Sequence, residues 1–310
     1  MTWGRIRQVV DYDWRAPATD EDKREYNAFG PWIYEIKDES DTPKRFRAAC
    51  VSHHDARFLL KFPCGMDRRE VHPGMDLYVA VLAVHDHGVS LMRLTGESVL
   101  TQDLVWSEVG ALESHENLLF GRWSLILRDG GALALEYNAV SSDLMGKVTN
   151  LVRSRWIGHG QSPRASEADP VMTVADSYFR NTLNSMRRRV TQPVVPIHVE
   201  PPGRYCRDAA NRRRISTGVM FLDACDELII VNRDKPTRRF FEARYAANCI
   251  FVPYAGVTSF ALVRPANDQS LRFHELTLRL DKQVVRQSCL VAPERVLARL
   301  AGHGVPQTRE

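Results

Sequence analysis

Two short histidine-rich stretches contain the residue types that could hold a metal ion. They are Ser52-His53-His54-Asp55 and His85-Asp86-His87. Imidazole nitrogens and carboxylate oxygens are suitable ligands for zinc or iron. On a strand, His85 and His87 would share one face, and a site there could recruit further ligands from the first stretch. The candidate ligands are His53, His54, Asp55, His85 and His87. They define the hypothesis of a metal-dependent hydrolase or nuclease, but their spacing matches no established motif.

Clusters of arginine form a second kind of candidate site, because guanidinium groups bind phosphate through paired donors. The candidate anion-binding residues are Arg68, Arg69, Arg204, Arg207, Arg212, Arg213 and Arg214. The alternative is that these arginines lie in ordinary solvated loops, where acidic neighbours such as Asp67 and Asp208 balance their charge. Aromatic residues do not interleave these arginines, which argues against nucleic-acid binding and leaves it as a lesser alternative.

Other catalytic patterns are missing from the sequence. There is no G-x-S-x-G nucleophile motif, and no glycine-rich phosphate loop of the G-x-x-x-x-G-K-[ST] or G-x-G-x-x-G type. The six cysteines are scattered singly, which is typical of reduced thiols rather than of disulfides or a zinc ribbon. We therefore expect no cofactor and no catalytic residues, and thus a protein that is not an enzyme.

The bulk properties favour a globular protein with two cores. A chain of 310 residues exceeds the usual size of one domain. The net charge of +4 is mildly basic and favours anionic surfaces. The N-terminus lacks the apolar stretch of a secretory signal, and no run of apolar residues is long enough to span a bilayer. We expect a cytoplasmic protein that can contact the inner face of the membrane peripherally.

Strands dominate the predicted secondary structure. Short apolar runs such as FLLKFP, DLYVAVLAV, GRWSLILR and ALALEY are separated by turn residues and predict antiparallel strands. Asp129-Gly130 predicts a tight hairpin turn. Helices are predicted after Ser141-Ser142 and in TVADSYFRNTLNSMRRRV, from apolar residues at helical spacing. The predicted organisation is an N-terminal arm (1–50), a first module (51–157), a linker (158–176), a connecting helix (177–193) and a second module (194–305).

The same order of elements occurs twice along the chain. FLLKFPCGMDRRE corresponds to VPIHVEPPGRYCRD, and DLYVAVLAVHDHGVSLMRL corresponds to STGVMFLDACDELIIVNRD. WSLILRDGGALALEY corresponds to LTLRLDKQVVRQSCL, and SSDLMGKVTNLV corresponds to APERVLARL. Each half therefore predicts a run of antiparallel strands followed by one helix. The fold class is mainly β with a few helices, an α+β arrangement.

This order resembles that of bacterial pleckstrin-homology-like (PH-like) domains. The resemblance rests on element order and on ENLLFGRWSLILRDGGALALEYNAV leading into DLMGKVTNLV. It implies two antiparallel barrel or sandwich modules, each closed by a C-terminal helix. In eukaryotic relatives of the fold, basic residues between the first two strands hold inositol phosphates. The resemblance thus implies a non-enzymatic scaffold or binding protein that recruits a protein partner or an anionic phosphate or lipid surface. The oligomeric state stays open.

Overall fold

A computed structural model describes residues 18–156, 172, 174–189, 193–202, 205–207, 213–233, 247–263 and 273–308. The chain forms two compact units. Unit 1 is Met1–Trp106 with Val140–Leu144, and unit 2 is Ser107–Ala139 with Met145–Glu310. This division differs from the predicted boundary at residues 158–176, because strands from the first half of the chain pair into a sheet of the second half. Most of the predicted linker lies outside the described residues.

Unit 1 contains a five-stranded antiparallel sheet whose strands lie in chain order. The strands are β1 (Tyr34–Glu35), β2 (Phe58–Pro63), β3 (Tyr78–Val84), β4 (Gly88–Thr95) and β5 (Ser98–Val105). Two helices precede β2, namely α1 (Asp20–Ala28) and α2 (Arg47–Cys50). Thr19 and Asp22 form a capping box that starts α1. β1 pairs with β2, and Phe29 and Phe46 are buried in one core with Val81. The N-terminal segment therefore packs against the sheet through Phe29 and Phe46.

Unit 2 contains a seven-stranded sheet in the order β8-β7-β6-β14-β13-β12-β9 and a three-stranded sheet β15-β16-β17. The strands of the larger sheet are β6 (Val109–Glu116), β7 (Phe120–Leu127), β8 (Ala132–Asn138), β9 (Val195–Glu200), β12 (Val219–Asp223), β13 (Glu227–Arg233) and β14 (Ala247–Pro253). The smaller sheet consists of β15 (Ser259–Val263), β16 (His274–Leu280) and β17 (Gln283–Cys289). A short separate hairpin joins β10 (Tyr205–Arg207) to β11 (Arg213–Ile215).

Three further helices confirm the helical predictions. They are α3 (Ser142–Arg153), α4 (Ser177–Arg189) and α5 (Glu294–Gly302). The apolar stripe predicted for α3 is buried at Val148 and Val152, and Leu183 is buried in α4. Helical spacing of apolar residues therefore located these elements correctly, because only one face of each helix is covered.

The predicted hairpins are also confirmed. β7 pairs with β8 around Asp129-Gly130, where Gly130 has a φ of 104°. β12 pairs with β13 around Cys225, and β16 pairs with β17 around Asp281, both of which have positive φ. A residue with positive φ thus marks each of these three reversals of the chain.

The order of elements repeats in the two halves. Four strands (β2 to β5), three strands (β6 to β8) and α3 are followed by four strands (β9, β12, β13 and β14), three strands (β15 to β17) and α5. The second copy differs by the β10–β11 hairpin, which is inserted between its first two strands. The repeat is therefore interrupted at one loop.

The sheets are open in the part of the chain that the structure describes, where no closed barrel is found. In unit 2 the two sheets and α5 enclose one apolar core, to which Phe221, Leu278 and Leu300 contribute. This is the packing of a sandwich rather than of a barrel. No helix in the described ranges is long and apolar enough to cross a membrane.

Candidate functional site

The structure brings four of the five candidate metal ligands together in unit 1. His53 Nδ1 lies 3.1 Å from His85 Nε2, and His85 Nδ1 lies 3.6 Å from Asp55 Oδ1. The ring of His87 stacks on that of His85 with centroids 5.1 Å apart. His54, the fifth candidate, has an exposed side chain.

His85 is the buried centre of this group. Burial lowers its pKa, the carboxylate of Asp55 opposes that shift, and His53 and His87 add to it. Both ring nitrogens of His85 already face neighbours. Across the described residues, no group of three or more His, Cys, Asp or Glu side chains is arranged to hold a metal ion. Four of the predicted residues therefore converge through one hydrogen bond, one longer polar contact and ring stacking around His85.

Asp86 takes a different role at the tip of the β3–β4 hairpin. Its two carboxylate oxygens accept from Arg57 Nε and Nη2 at 3.1 and 3.0 Å. Its carbonyl oxygen accepts from Trp106 Nε1 at 2.9 Å. These contacts brace the hairpin tip against β2 and the end of β5.

The arginines predicted to bind anions in unit 1 are partly committed to the protein. Arg68 donates to the carbonyl of Phe29 and lies 5.2 Å from the ring centroid of Tyr26. Arg69 is exposed, and its backbone N–H donates to Asp67 Oδ1 at 2.9 Å. Arg68 therefore braces the N-terminal segment, which weakens its case as an anion ligand.

In unit 2 the candidate arginines belong to the inserted hairpin. Arg207 in β10 is opposite Arg213 in β11, and Cys206 is opposite Arg214. Arg204 and Arg212 lie outside the described residues.

The register of the seven-stranded sheet shows which other residues lie near this hairpin. One row of paired residues crosses the sheet from β9 to β7, each residue paired with the next on the neighbouring strand. The row is Glu200, Val219, Asn232, Asn248, His115 and Arg122. The connection from β9 to β12, which carries the β10–β11 hairpin, therefore leaves the same end of the sheet as the β6–β7 turn. We call this the arginine end. It comprises strands β10 (Tyr205–Arg207) and β11 (Arg213–Ile215), the β6–β7 turn (117–120) and the ends of the sheet strands next to them.

The base of the arginine end is fixed by buried groups. The carboxylate of Glu200 accepts from the backbone N–H groups of Leu290 and Val291 at 2.7 and 2.8 Å, and it lies 3.0 Å from His198 Nε2. Gly218 has a φ of 78°, and a Cβ there would lie 2.7 Å from the carbonyl oxygen of Glu200. Any other residue would be strained at this point, and Glu200 and Gly218 therefore fix the path of the chain where the inserted segment begins and ends.

Arg233 is also at this end, but it is already paired. It forms an ion pair with Asp176 and lies 4.1 Å from the ring centroid of Tyr178. It therefore docks α4 onto β13, and the candidates for an external anion are the arginines of the inserted hairpin.

The β6–β7 turn carries exposed apolar side chains that the sequence analysis did not single out. Leu118, Leu119 and Phe120 are 67%, 67% and 65% exposed. In the sequence they look like part of a buried strand. The available signal was a run of three large apolar residues directly after Asn117, since such a run on a surface normally has a function.

Comparison with known protein families and with curated proteins gave no match. No protein-family model matches the chain, and no curated protein is similar to it in sequence.

Proposed function

We propose that this protein is a non-enzymatic binding protein with two PH-like modules, and that its arginine end binds an anionic, phosphate-bearing surface. The repeated order of four strands, three strands and a helix supports the PH-like assignment. The loop that holds inositol phosphates in relatives of that fold corresponds here to the connection between β9 and β12.

One observation carries the proposal. The connection that carries Arg207, Arg213 and Arg214 leaves the sheet between Glu200 and Val219, which are paired, and a Cβ at Gly218 would meet the carbonyl oxygen of Glu200. Arginine binds phosphate oxygens with two parallel donors, and a fixed base lowers the entropy lost on binding. The recruited surface would be the inner, anionic face of a membrane.

Vesicle binding by the full chain tests the proposal. Vesicles of phosphatidylcholine alone are compared with vesicles that contain roughly 30% phosphatidylserine, since anionic headgroups attract basic residues by about 1 kcal/mol each. We expect binding only to the anionic vesicles, and weaker binding as salt is added. Replacing the three arginines by alanine should weaken binding roughly a hundred-fold.

The control removes the same charge elsewhere in unit 2. The control residues are Arg188, Arg286 and Arg295, which are exposed. This variant should bind nearly as well as the wild type. Equal losses in the two triple variants would contradict the assignment of the arginine end, and a wild type that ignores anionic vesicles would overturn the proposed function.

A further inference from the structure

The β6–β7 turn presents an apolar tip at the arginine end. Residues 117–121 carry no charged side chain, and three of them are large, apolar and exposed. The tip is rigid, because Asn117 Oδ1 accepts from the backbone N–H groups of Leu119 and Phe120 at 2.9 and 2.8 Å. Side chains held outward in this way are not a transiently exposed part of the core.

Several backbone groups of this turn form hydrogen bonds within the protein. The N–H of Asn117 donates to the carbonyl of Phe120 at 2.8 Å, and the N–H of Ala139 donates to the carbonyl of Leu119 at 3.0 Å. Unsatisfied backbone groups are costly in a hydrocarbon environment. Internal pairing of this kind lowers the cost of moving the tip into lipid.

Gly121 and Tyr137 pack closely together directly beneath the tip. Gly121 is buried, and a Cβ there would lie 2.1 Å from the ring of Tyr137. The Tyr137 hydroxyl donates to Glu116 Oε1 at 3.0 Å, which ties β8 to β6 beneath the turn. The tip therefore projects from a packed base.

Other exposed apolar residues gather at the same end. The exposed large hydrophobic residues of the described part of unit 2 are Leu118, Leu119, Phe120, Val174, Val263 and Val291. The N–H of Val291 donates to Glu200, the last residue of β9. Val174 lies two residues before Asp176, which pairs with Arg233 at the end of β13. This end of unit 2 thus combines apolar side chains with the arginine hairpin.

We infer that the arginine end inserts Leu118, Leu119 and Phe120 into the hydrocarbon boundary of an anionic lipid bilayer. The inference rests on the proposed function, because the arginines supply the attraction to the headgroups. A basic surface combined with large apolar side chains is the combination that holds proteins at a membrane interface. A soluble phosphate ligand would use the arginines alone and would leave the tip without a role.

The test separates insertion from phosphate binding with two probes, anionic vesicles and soluble inositol hexakisphosphate. Replacing Leu118, Leu119 and Phe120 by serine should weaken vesicle binding about ten-fold or more and leave binding of the soluble phosphate unchanged. The matched control replaces Val51, Val79 and Leu100, exposed apolar residues of unit 1, by serine. It should bind both probes as the wild type does.

Depth of insertion gives an independent readout. Vesicles with brominated acyl chains should quench the tryptophan fluorescence of the Phe120→Trp variant more than that of the wild type. The fluorescence of the Val51→Trp variant should be quenched no more than that of the wild type.

Each result decides between the two proposals. Equal vesicle binding by the tip variant and its control overturns insertion and leaves phosphate binding intact. Loss of both probes in the tip variant also overturns insertion, since the turn would then support the phosphate site. If the wild type binds the soluble phosphate but not vesicles, insertion is overturned. If the wild type binds neither probe, the proposed function is overturned as well.

Discussion

At one end of the seven-stranded sheet Glu227 is completely buried beside Arg153, whereas at the arginine end Leu118 and Phe120 are about two-thirds exposed. Glu227 accepts from Arg153 Nε at 2.9 Å and from Trp156 Nε1 at 3.0 Å, and Arg153 lies 4.4 Å from the ring centroid of Phe251. One end of the sheet therefore holds a buried ion pair, whereas the arginine end, where Glu200 is also buried, carries exposed apolar side chains.

A second buried group strengthens this contrast. The Asp223 carboxylate accepts from the Tyr254 hydroxyl at 3.0 Å and lies 2.7 Å from Arg299 Nε. Burial raises the pKa of Asp223, while Arg299 and the Tyr254 hydrogen bond act in the opposite direction. Buried charges with several partners hold elements together, and exposed apolar residues are available for binding. Buried charges stabilise both ends of the sheet, and the proposed function assigns recognition to the arginine end.

The largest effect is expected where the buried ion pair is broken. Glu227→Ala leaves Arg153 buried without its partner and should lower the free energy of unfolding by about 3–5 kcal/mol. Urea denaturation measures this loss. Arg286→Ala, which removes an exposed ion pair with Glu275, should cost less than about 1 kcal/mol. Similar losses for both variants would contradict the contrast between buried and exposed charge.

Gly218 should be the sensitive point of the arginine end. Gly218→Ala places a Cβ against the carbonyl of Glu200 at a positive φ, and should cost about 1–3 kcal/mol. Thermal and urea unfolding provide the measurement. Gly65→Ala is the control, because a Cβ there meets open space. A neutral Gly218→Ala would show that the base of the inserted segment is not rigid.

The histidine cluster extends the comparison to a buried polar group of unit 1. The pKa of His85 is lowered in the folded state from an ordinary value of 6.5, so the unfolded chain binds more protons as the pH falls below that value. Stability should therefore decrease from about pH 7.5 to about pH 5.5.

His85→Gln should lose less stability over that interval than the wild type does, since its side chain does not titrate. Asp55, His53, His87 and Asp103 act on the same ring and stay in place. Urea unfolding at the two pH values measures the difference, with His54→Gln as the exposed control. An unchanged pH dependence in His85→Gln would assign the acid sensitivity to another group.

The smallest effect on stability is expected at the apolar tip. Leu119→Ala should change the free energy of unfolding by no more than about 0.5 kcal/mol, because the side chain is already in water. Leu125→Ala, a completely buried position further along β7, should cost about 2–5 kcal/mol. A large loss for Leu119→Ala in urea denaturation would mean that the tip is part of the core.

Much of the secondary structure was predictable, and the candidate site was only partly so. The hairpin at Asp129-Gly130 and the helix with Val148 and Val152 depend on neighbours within a few residues, so local patterns indicated them. The convergence of His53 with His85 joins residues 32 positions apart and could be posed only as a hypothesis. Leu118 to Phe120 were missed because an apolar run predicts burial, and the partners that would bury it are set elsewhere in the chain.

The sequence by itself determined the strands, their turns and the repeated order of elements, because backbone preference and apolar periodicity act over short distances. Only the tertiary structure decided that β6 pairs with β14, with Phe251 opposite Leu112. That register joins strands far apart in the chain and is set by the packing of whole sheets. It placed the arginine hairpin and the apolar turn at one end, where they can act on one surface.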